Sequence, residues 1–151
     1  MTDKTFSDEL ERALARPDAN KLVHQIDVYI EYDRSGARDW PDDIADDLGE
    51  VLGSGFDDPD KALAYVMIAA ARTDDPEFLG FMGASILEDT LVNPPPEFIE
   101  RVVEEARNSA RFRWMLGVPY SHVIAERVWE RIEVFAVEDI DNTPLPPRLS
   151  V

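Results

Sequence analysis

The sequence contains no cysteine and only two histidines, His24 and His122, which lie far apart in the chain. The missing thiols exclude disulfide bonds, thiolate nucleophiles and cysteine-ligated zinc. Two isolated histidines do not provide the ligand spacing of a zinc site, so we expect neither a metal nor a cofactor. The chain also lacks a glycine-rich phosphate loop and a nucleophile elbow, which favours a non-enzymatic protein.

Basic residues are scarce, with 15 Lys and Arg against 32 Asp and Glu and a net charge of -17. This balance argues against direct nucleic-acid binding and against an anionic membrane surface, and it favours a basic protein as partner. No apolar run reaches the length of a membrane span, and Met1 to Lys4 lack the start of a signal peptide. We therefore expect a cytoplasmic protein.

The most acidic part of the chain, residues 39–60, holds nine carboxylates and neither lysine nor arginine. Several recur at helical spacing and would form one face of a helix that begins near Asp39, with Pro41 in its first turn. Like charges at that spacing destabilise a helix by roughly 0.2–0.5 kcal/mol per pair, so a basic partner is a candidate ligand. Trp40 is expected to be partly exposed beside them, as an anchor. The candidate partner-binding residues are Asp39, Trp40, Asp43, Asp46, Asp47, Glu50, Asp57 and Asp58.

Helical periodicity runs through the whole chain, and no strand or hairpin pattern competes with it. We expect an all-α fold of seven or eight short helices packed as antiparallel pairs, in a compact bundle or a short HEAT-like stack. Asp58-Pro59 and Asp75-Pro76 each predict a helix that is capped by aspartate. The run from Ala62 to Ala71 is apolar all round, which predicts a helix at the buried centre.

Three further helix caps follow from the same patterns. Ser7, Asn20 and Ser121 are predicted to cap the first, second and last helices.

We expect a single helical domain over residues 1–137. An extended tail over residues 138–151 follows, because its prolines are incompatible with a helix, and docking on its own domain is the simplest interpretation.

Glu88 and Asp89 come late in a strongly apolar helix, where an acid opposes the helix dipole and is costly if buried. A salt bridge to an arginine of the sixth or last helix is the favoured interpretation, and a catalytic or metal-binding role is the alternative. The candidates for this buried charge cluster are Glu88, Asp89, Arg107, Arg111 and Arg113.

Residues 58–129 resemble an uncharacterised bacterial family of all-helical proteins, a domain of unknown function. The resemblance depends on five elements: Asp58-Pro59-Asp60, Ile86-Leu87-Glu88-Asp89, Phe98 to Ala106, Arg111-Phe112-Arg113 and Val128-Trp129. The first element departs from the family pattern, which has glutamate where this chain has Asp60. The resemblance implies a helical fold and a structural importance for Glu88 and Asp89, and it implies no activity.

Three functions remain open at this point. The first is an acidic inhibitor or immunity-type protein that masks a basic surface of a toxin, nuclease or defence enzyme. The second is a structural or scaffolding module whose acidic surface keeps it soluble, and one form of it is a homodimer that pairs through an exposed apolar patch. The third, given least weight, is an enzyme that uses Glu88 and Asp89 on a small charged substrate.

Overall fold

A computed structural model describes residues 5–150, and residues 1–4 and 151, where the predicted domain begins and the predicted tail ends, lie outside it. Met1 to Lys4, the basis of the signal-peptide argument, are among them. Within residues 5–150 the chain forms eight α-helices and no strand, which confirms the all-α prediction. They are α1 (Asp8–Leu14), α2 (Ala19–Ser35), α3 (Ala45–Asp57), α4 (Pro59–Arg72), α5 (Pro76–Met82), α6 (Pro96–Asn108), α7 (Ala110–Leu116) and α8 (Glu126–Ile132).

The apolar helix α4 lies at the centre of the fold, as its composition predicts. Every residue from Ala62 to Ala70 is buried, and α1, α2, α3 and α5 all pack against this helix. A helix that is apolar on every face is fully buried only if neighbouring helices surround it. The other helices are therefore arranged in pairs around one compact core, and not as a linear stack.

Side-chain caps fix where several helices begin. Ser7, Asp58 and Asp75 each accept a backbone N–H from the first turn of the helix that follows, as predicted. The prediction for Asn20 is wrong, because α2 begins at Ala19. Asp18 precedes that helix, and its carboxylate binds the Arg16 guanidinium instead of capping the helix.

Two helices begin later than the sequence pattern suggests. α3 begins at Ala45, so Asp39 and Asp43 precede the helix that was expected to carry them. α8 begins at Glu126, and Ser121 does not cap it. In the loop before α8, the N–H groups of Tyr120 and Ala125 bind Glu88 and the Leu91 carbonyl, at 3.0 and 3.2 Å. These bonds hold the loop against the end of the fifth helix.

Helix α5 continues without a break through a π-helical segment, Gly83–Leu87, into a last turn, Glu88–Thr90. Two glycines let neighbouring helices approach it closely. A Cβ on Gly55 of α3 would lie 2.5 Å from the Asp89 Cβ, and one on Gly83 would lie 2.8 Å from the Met115 carbonyl oxygen. The α3–α5 and α5–α7 contacts therefore require the absence of a side chain at these positions.

The tail after Glu138 lies against the helices. It contains one 3₁₀ turn, Ile140–Asn142, and its Thr143 and Pro146 carbonyls accept hydrogen bonds from Trp114 and Arg111, at 3.1 and 2.8 Å. Near its end, Ser150 forms an isolated parallel bridge with Phe6. No helix among residues 5–150 is long and apolar enough to cross a membrane.

Candidate functional site

The structure divides eight of the nine carboxylates of residues 39–60, all except Asp57, into two sets with different environments. Four of them make contacts that the fold itself uses. Asp58 caps α4, Asp60 binds Arg16 and Arg101, and Asp47 and Glu50 both accept hydrogen bonds from Gln25. These four acids are partly or wholly satisfied within the protein, so they are poorly suited to capture a basic partner.

The second set remains exposed. Asp39, Asp42, Asp43 and Asp46 are exposed, and within residues 5–150 none of them contacts a lysine or arginine. They occupy the loop before α3 and the first turn of that helix. Asp42 is absent from the predicted site residues, although it belongs to the same run of acids and could have been found by counting charge alone.

Trp40 lies between Asp39 and Asp42 in the sequence and is 37% exposed. Its ring packs over Gly49 of α3, where an added Cβ would lie 3.6 Å from the ring. This contact holds the indole in place while leaving part of it open to solvent, as predicted. An aromatic side chain that is fixed before binding loses little conformational entropy when a partner covers it. We call Asp39, Trp40, Asp42, Asp43 and Asp46 the acidic surface.

Asp57 and Asp58 do not belong to the acidic surface. They lie at the opposite end of α3, about 16 Å from Asp46 along the helix axis at 1.5 Å per residue. Asp57 is exposed, and Asp58 is the cap of α4. The sequence-based grouping of these two residues with Asp39 and Asp43 is therefore wrong in space, although they are close in sequence.

A buried polar network lies behind the acidic surface and joins α2, α3 and α4. Gln25 is fully buried; its amide nitrogen donates to Glu50 at 2.7 Å and its oxygen accepts the Tyr65 hydroxyl. Lys61 binds Glu50 from α4, and Lys21 binds it from α2. The Lys61 hydrogen bond, supported by Gln25 and Lys21, lowers the pKa of Glu50 to about 2.

This network explains why Asp47 and Glu50 are less available to a partner than the four exposed aspartates. Their charge is used to join α3 to its neighbours, and a buried network of this kind fixes one arrangement of the helices when it is fully satisfied. Gln25 was missed by sequence reasoning. Its signal was a single polar residue among the apolar positions Leu22, Ile26 and Tyr29 of α2, which are all buried.

The predicted pairing of Glu88 and Asp89 with an arginine is wrong for the residues that the structure describes. Glu88 accepts the Tyr120 N–H, while burial, and then the Glu88 charge, raise the pKa of Asp89. Arg107 pairs with Glu104, and Arg113 donates to the carbonyls of Ala106 and Arg107. The observed partners of these acids and arginines differ from the predicted ones because they depend on which helix ends meet. The spacing of residues along each helix does not determine this.

Arg111 is buried as predicted, with different partners. It is 3% exposed and donates to the carbonyls of Ala70, Thr73 and Pro146 and to the Asp74 carboxylate, at 2.8–2.9 Å. Arg148 of the tail binds the same carboxylate, and this bond, followed by that from Arg111, lowers the pKa of Asp74. Arg111 therefore joins the end of α4 to the tail.

Metal-binding groups and clefts are the features of the structure that bear on a catalytic role for Glu88 and Asp89. Within residues 5–150 no group of three or more His, Asp and Glu side chains is arranged to hold a metal ion. Two clefts, of about 460 and 510 Å³, are lined by residues other than Glu88 and Asp89. The geometry thus gives Glu88 and Asp89 contacts within the fold and no enclosed site.

The fold and this surface define an all-helical acidic protein with an ordered, base-free patch of carboxylates around a tryptophan. A family model described as a family of unknown function (DUF6869) matches residues 46–140, and the chain belongs to this family. The match contains the whole of the predicted segment 58–129 and confirms the resemblance to an uncharacterised family. No curated protein and no solved structure gives a significant match.

Proposed function

We propose that this protein is a non-enzymatic inhibitor or immunity-type protein that masks a basic surface of a toxin, nuclease or defence enzyme. The acidic surface is the part that binds. The observation that supports this most is the set of four exposed aspartates around Trp40, none of which contacts a cation of its own within residues 5–150.

The charge of the acidic surface would act mainly on the rate of association. Interactions between exposed charges are screened beyond about 8 Å at physiological ionic strength, so the attraction should be strong at low salt and weak at high salt. Exposed charges at the rim of an interface contribute little to the affinity itself. Trp40 would provide the affinity, since a buried aromatic anchor contributes about 2 kcal/mol or more.

Most of the acidic surface lies outside the part of the chain that the family model matches. The family match begins at residue 46, so Asp39, Trp40, Asp42 and Asp43 precede it. The proposal therefore depends on the local geometry, and other members of the family need not bind the same partner.

The test is affinity capture from the host lysate at low salt with two matched variants. In the acidic-surface variant Asp39, Asp42, Asp43 and Asp46 are replaced by Asn. In the control variant Glu130, Glu133, Glu138 and Asp141, which are also exposed and lack ion-pair partners within residues 5–150, are replaced by Gln or Asn. Both variants lose four negative charges and keep Asp47 and Glu50, so the polar network stays intact.

A basic protein captured by the native protein and the control variant, but not by the acidic-surface variant, would support the proposal. The captured protein must then bind the purified native protein directly. Equal capture by all three proteins would contradict the proposal. Equal loss of capture with both variants would also contradict it, because binding would then depend on the net charge of the protein and not on the acidic surface.

A second candidate function, a structural module that forms a homodimer, is favoured by exposed apolar residues. Phe56 and Tyr120 are 68% and 66% exposed. Phe56 follows Gly55, which contacts Asp89, and Tyr120 donates its N–H to Glu88. Phe56 and Tyr120 therefore both lie beside the end of the fifth helix. Light scattering should show twice the monomer mass if this surface pairs, and Phe56→Ser with Tyr120→Ser should restore the monomer. A monomer at all concentrations would refute this alternative.

A further inference from the structure

A cleft of about 460 Å³ lies where side chains of α1 and α6 meet the segment around Phe6. Its size falls within the range of pockets that bind small molecules, roughly 300–1,000 Å³. Its lining contains five carboxylates and two guanidinium groups, so the net charge of its walls is negative. The cleft is separate from the acidic surface, to which it contributes no residue.

Glu105 is the most unusual residue of this lining. It is only 4% exposed, and its carboxylate accepts the Ser7 hydroxyl at 2.7 and 3.1 Å. No lysine or arginine within residues 5–150 contacts it. Burial raises the pKa of Glu105 to about 7; hydrogen bonds from the Ser7 hydroxyl and the Glu9 backbone oppose this rise, and the charges of Glu9 and Asp8 add to it. A buried carboxylate without a cation is costly, because neutral donors replace only part of its hydration.

The two arginines of the cleft are already engaged with other acids. Arg101 donates to both oxygens of Glu9, at 2.9 and 2.8 Å, and to Asp60 at 2.8 Å. Arg12 is 61% exposed and lies 3.7 Å from Glu9. Neither guanidinium reaches Glu105, so its ionised carboxylate has no cation among residues 5–150, and a cationic ligand would supply one.

Two other carboxylates at the cleft have partners of their own. Glu100 pairs with Arg131, and Glu104 pairs with Arg107. Asp8 is exposed in the first turn of α1, where the helix dipole stabilises its charge. Glu105 is thus the one buried acid of the lining without a cation among residues 5–150. Phe6, 42% exposed, adds an apolar wall.

We propose that this cleft binds a small organic cation, with its ammonium group on the Glu105 carboxylate and its apolar part against Phe6. An ammonium group would donate to the carboxylate oxygens and supply the missing charge. An anion would have to approach walls of the same sign, so we expect anions to be excluded. The proposal is independent of the function assigned to the acidic surface.

The test is calorimetric titration of the full chain with 1,5-diaminopentane, with 1,5-pentanediol as the uncharged probe of similar length. About 0.15 M salt screens the general attraction of amines to this acidic protein. Glu105→Gln removes the charge and keeps an acceptor for Ser7. Glu97→Gln, on the same helix but exposed and outside the cleft, is the matched control.

We expect the diamine to bind the native protein and the Glu97→Gln variant equally, and the Glu105→Gln variant at least tenfold more weakly. The diol should not bind. Circular dichroism establishes that both variants are folded. Equal binding by the Glu105→Gln variant, equal binding of the diol, or no binding of the diamine at about 10 mM, where even a weak site fills, would overturn the proposal.

A pH series provides a second readout that a merely structural role would not give. The amine must displace a proton from Glu105, so its affinity should rise about tenfold between pH 6 and pH 8, as a pKa of about 7 requires. The affinity of the Glu105→Gln variant should stay flat over this range. The other charged groups around the cleft are Asp8, Glu9 and Arg12 on α1 and Glu100, Arg101 and Glu104 on α6. A flat profile in the native protein would contradict the assignment to Glu105.

Discussion

Replacing Glu105 by Gln should change how the stability of the protein depends on pH. Glu105 is 4% exposed, and burial raises the pKa of its carboxyl group from 4.5 to about 7. The folded protein therefore keeps a proton that the unfolded chain releases above pH 4.5. Its contribution to stability is fully present below that pH and is lost as the pH rises through 7.

The size of this effect follows from the shift in pKa. A change from 4.5 to about 7 corresponds to a loss of about 3 kcal/mol in the free energy of unfolding between pH 4.5 and pH 8, as an upper bound. Glutamine carries no charge and has no such dependence. The Glu105→Gln variant should therefore gain about 1–3 kcal/mol relative to the native protein on going from pH 5 to pH 8.

The assay is urea unfolding of the native protein, the Glu105→Gln variant and the exposed control Glu97→Gln at pH 5 and pH 8. Comparing each variant with the native protein at both pH values removes any constant cost of placing the new amide. If the stability difference between the Glu105→Gln variant and the native protein is the same at both pH values, the carboxylate is not destabilised by burial and the reasoning fails.

Four further substitutions test the packing. Arg111→Met should cost about 3–5 kcal/mol and expose the tail to limited proteolysis, because buried carbonyls lose their donor; an intact tail would contradict this. Gly55→Ala should lower the free energy of unfolding by about 1–3 kcal/mol, because the added methyl group overpacks the contact with Asp89. Gly80→Ala, with open space at its Cβ, should raise it by about 0.5–1 kcal/mol. Thermal melts compare the two variants, and equal effects would refute the close approach of α3 to the fifth helix. Tyr65→Phe should cost about 1–2 kcal/mol in urea titrations, because the buried Gln25 oxygen loses a donor, and an unchanged midpoint would contradict the network.

Local patterns predicted those parts of the fold that depend on neighbouring residues. The caps at Asp58 and Asp75 and the buried helix after Pro59 are visible in the sequence because a cap and an apolar run need only a few consecutive residues. Ser109 caps α7 by the same kind of local contact.

Tertiary contacts explain the errors. In a helix beginning at Asp39, Trp40 and Gly49 would be separated by about 13 Å along the axis, so the observed contact between them requires the loop before Ala45. The partners of Arg111 and Glu88 likewise come from distant parts of the chain. Glu9 and Glu105 were missed because nothing in the spacing of α1 and α6 shows that their acids share a cleft.

The acidic surface itself was predicted in part. Charge counting identified the segment that carries the four exposed aspartates, and Trp40 is partly exposed as expected. The sequence does not separate Asp47 and Glu50, which bind Gln25 in the buried network, from Asp42 and Asp46, which face solvent. That division depends on the packing of α2 against α3, so it required the structure.

The central claim is that the acidic surface binds a basic protein, and the most direct measurement is the association rate of the captured partner at low and physiological salt. For the native protein and the Glu130, Glu133, Glu138 and Asp141 control, we expect fast association that slows steeply with salt. For the variant with Asn at Asp39, Asp42, Asp43 and Asp46, we expect association at least about tenfold slower at low salt, with little salt dependence. Equal rates and equal salt dependence for all three proteins would contradict the account.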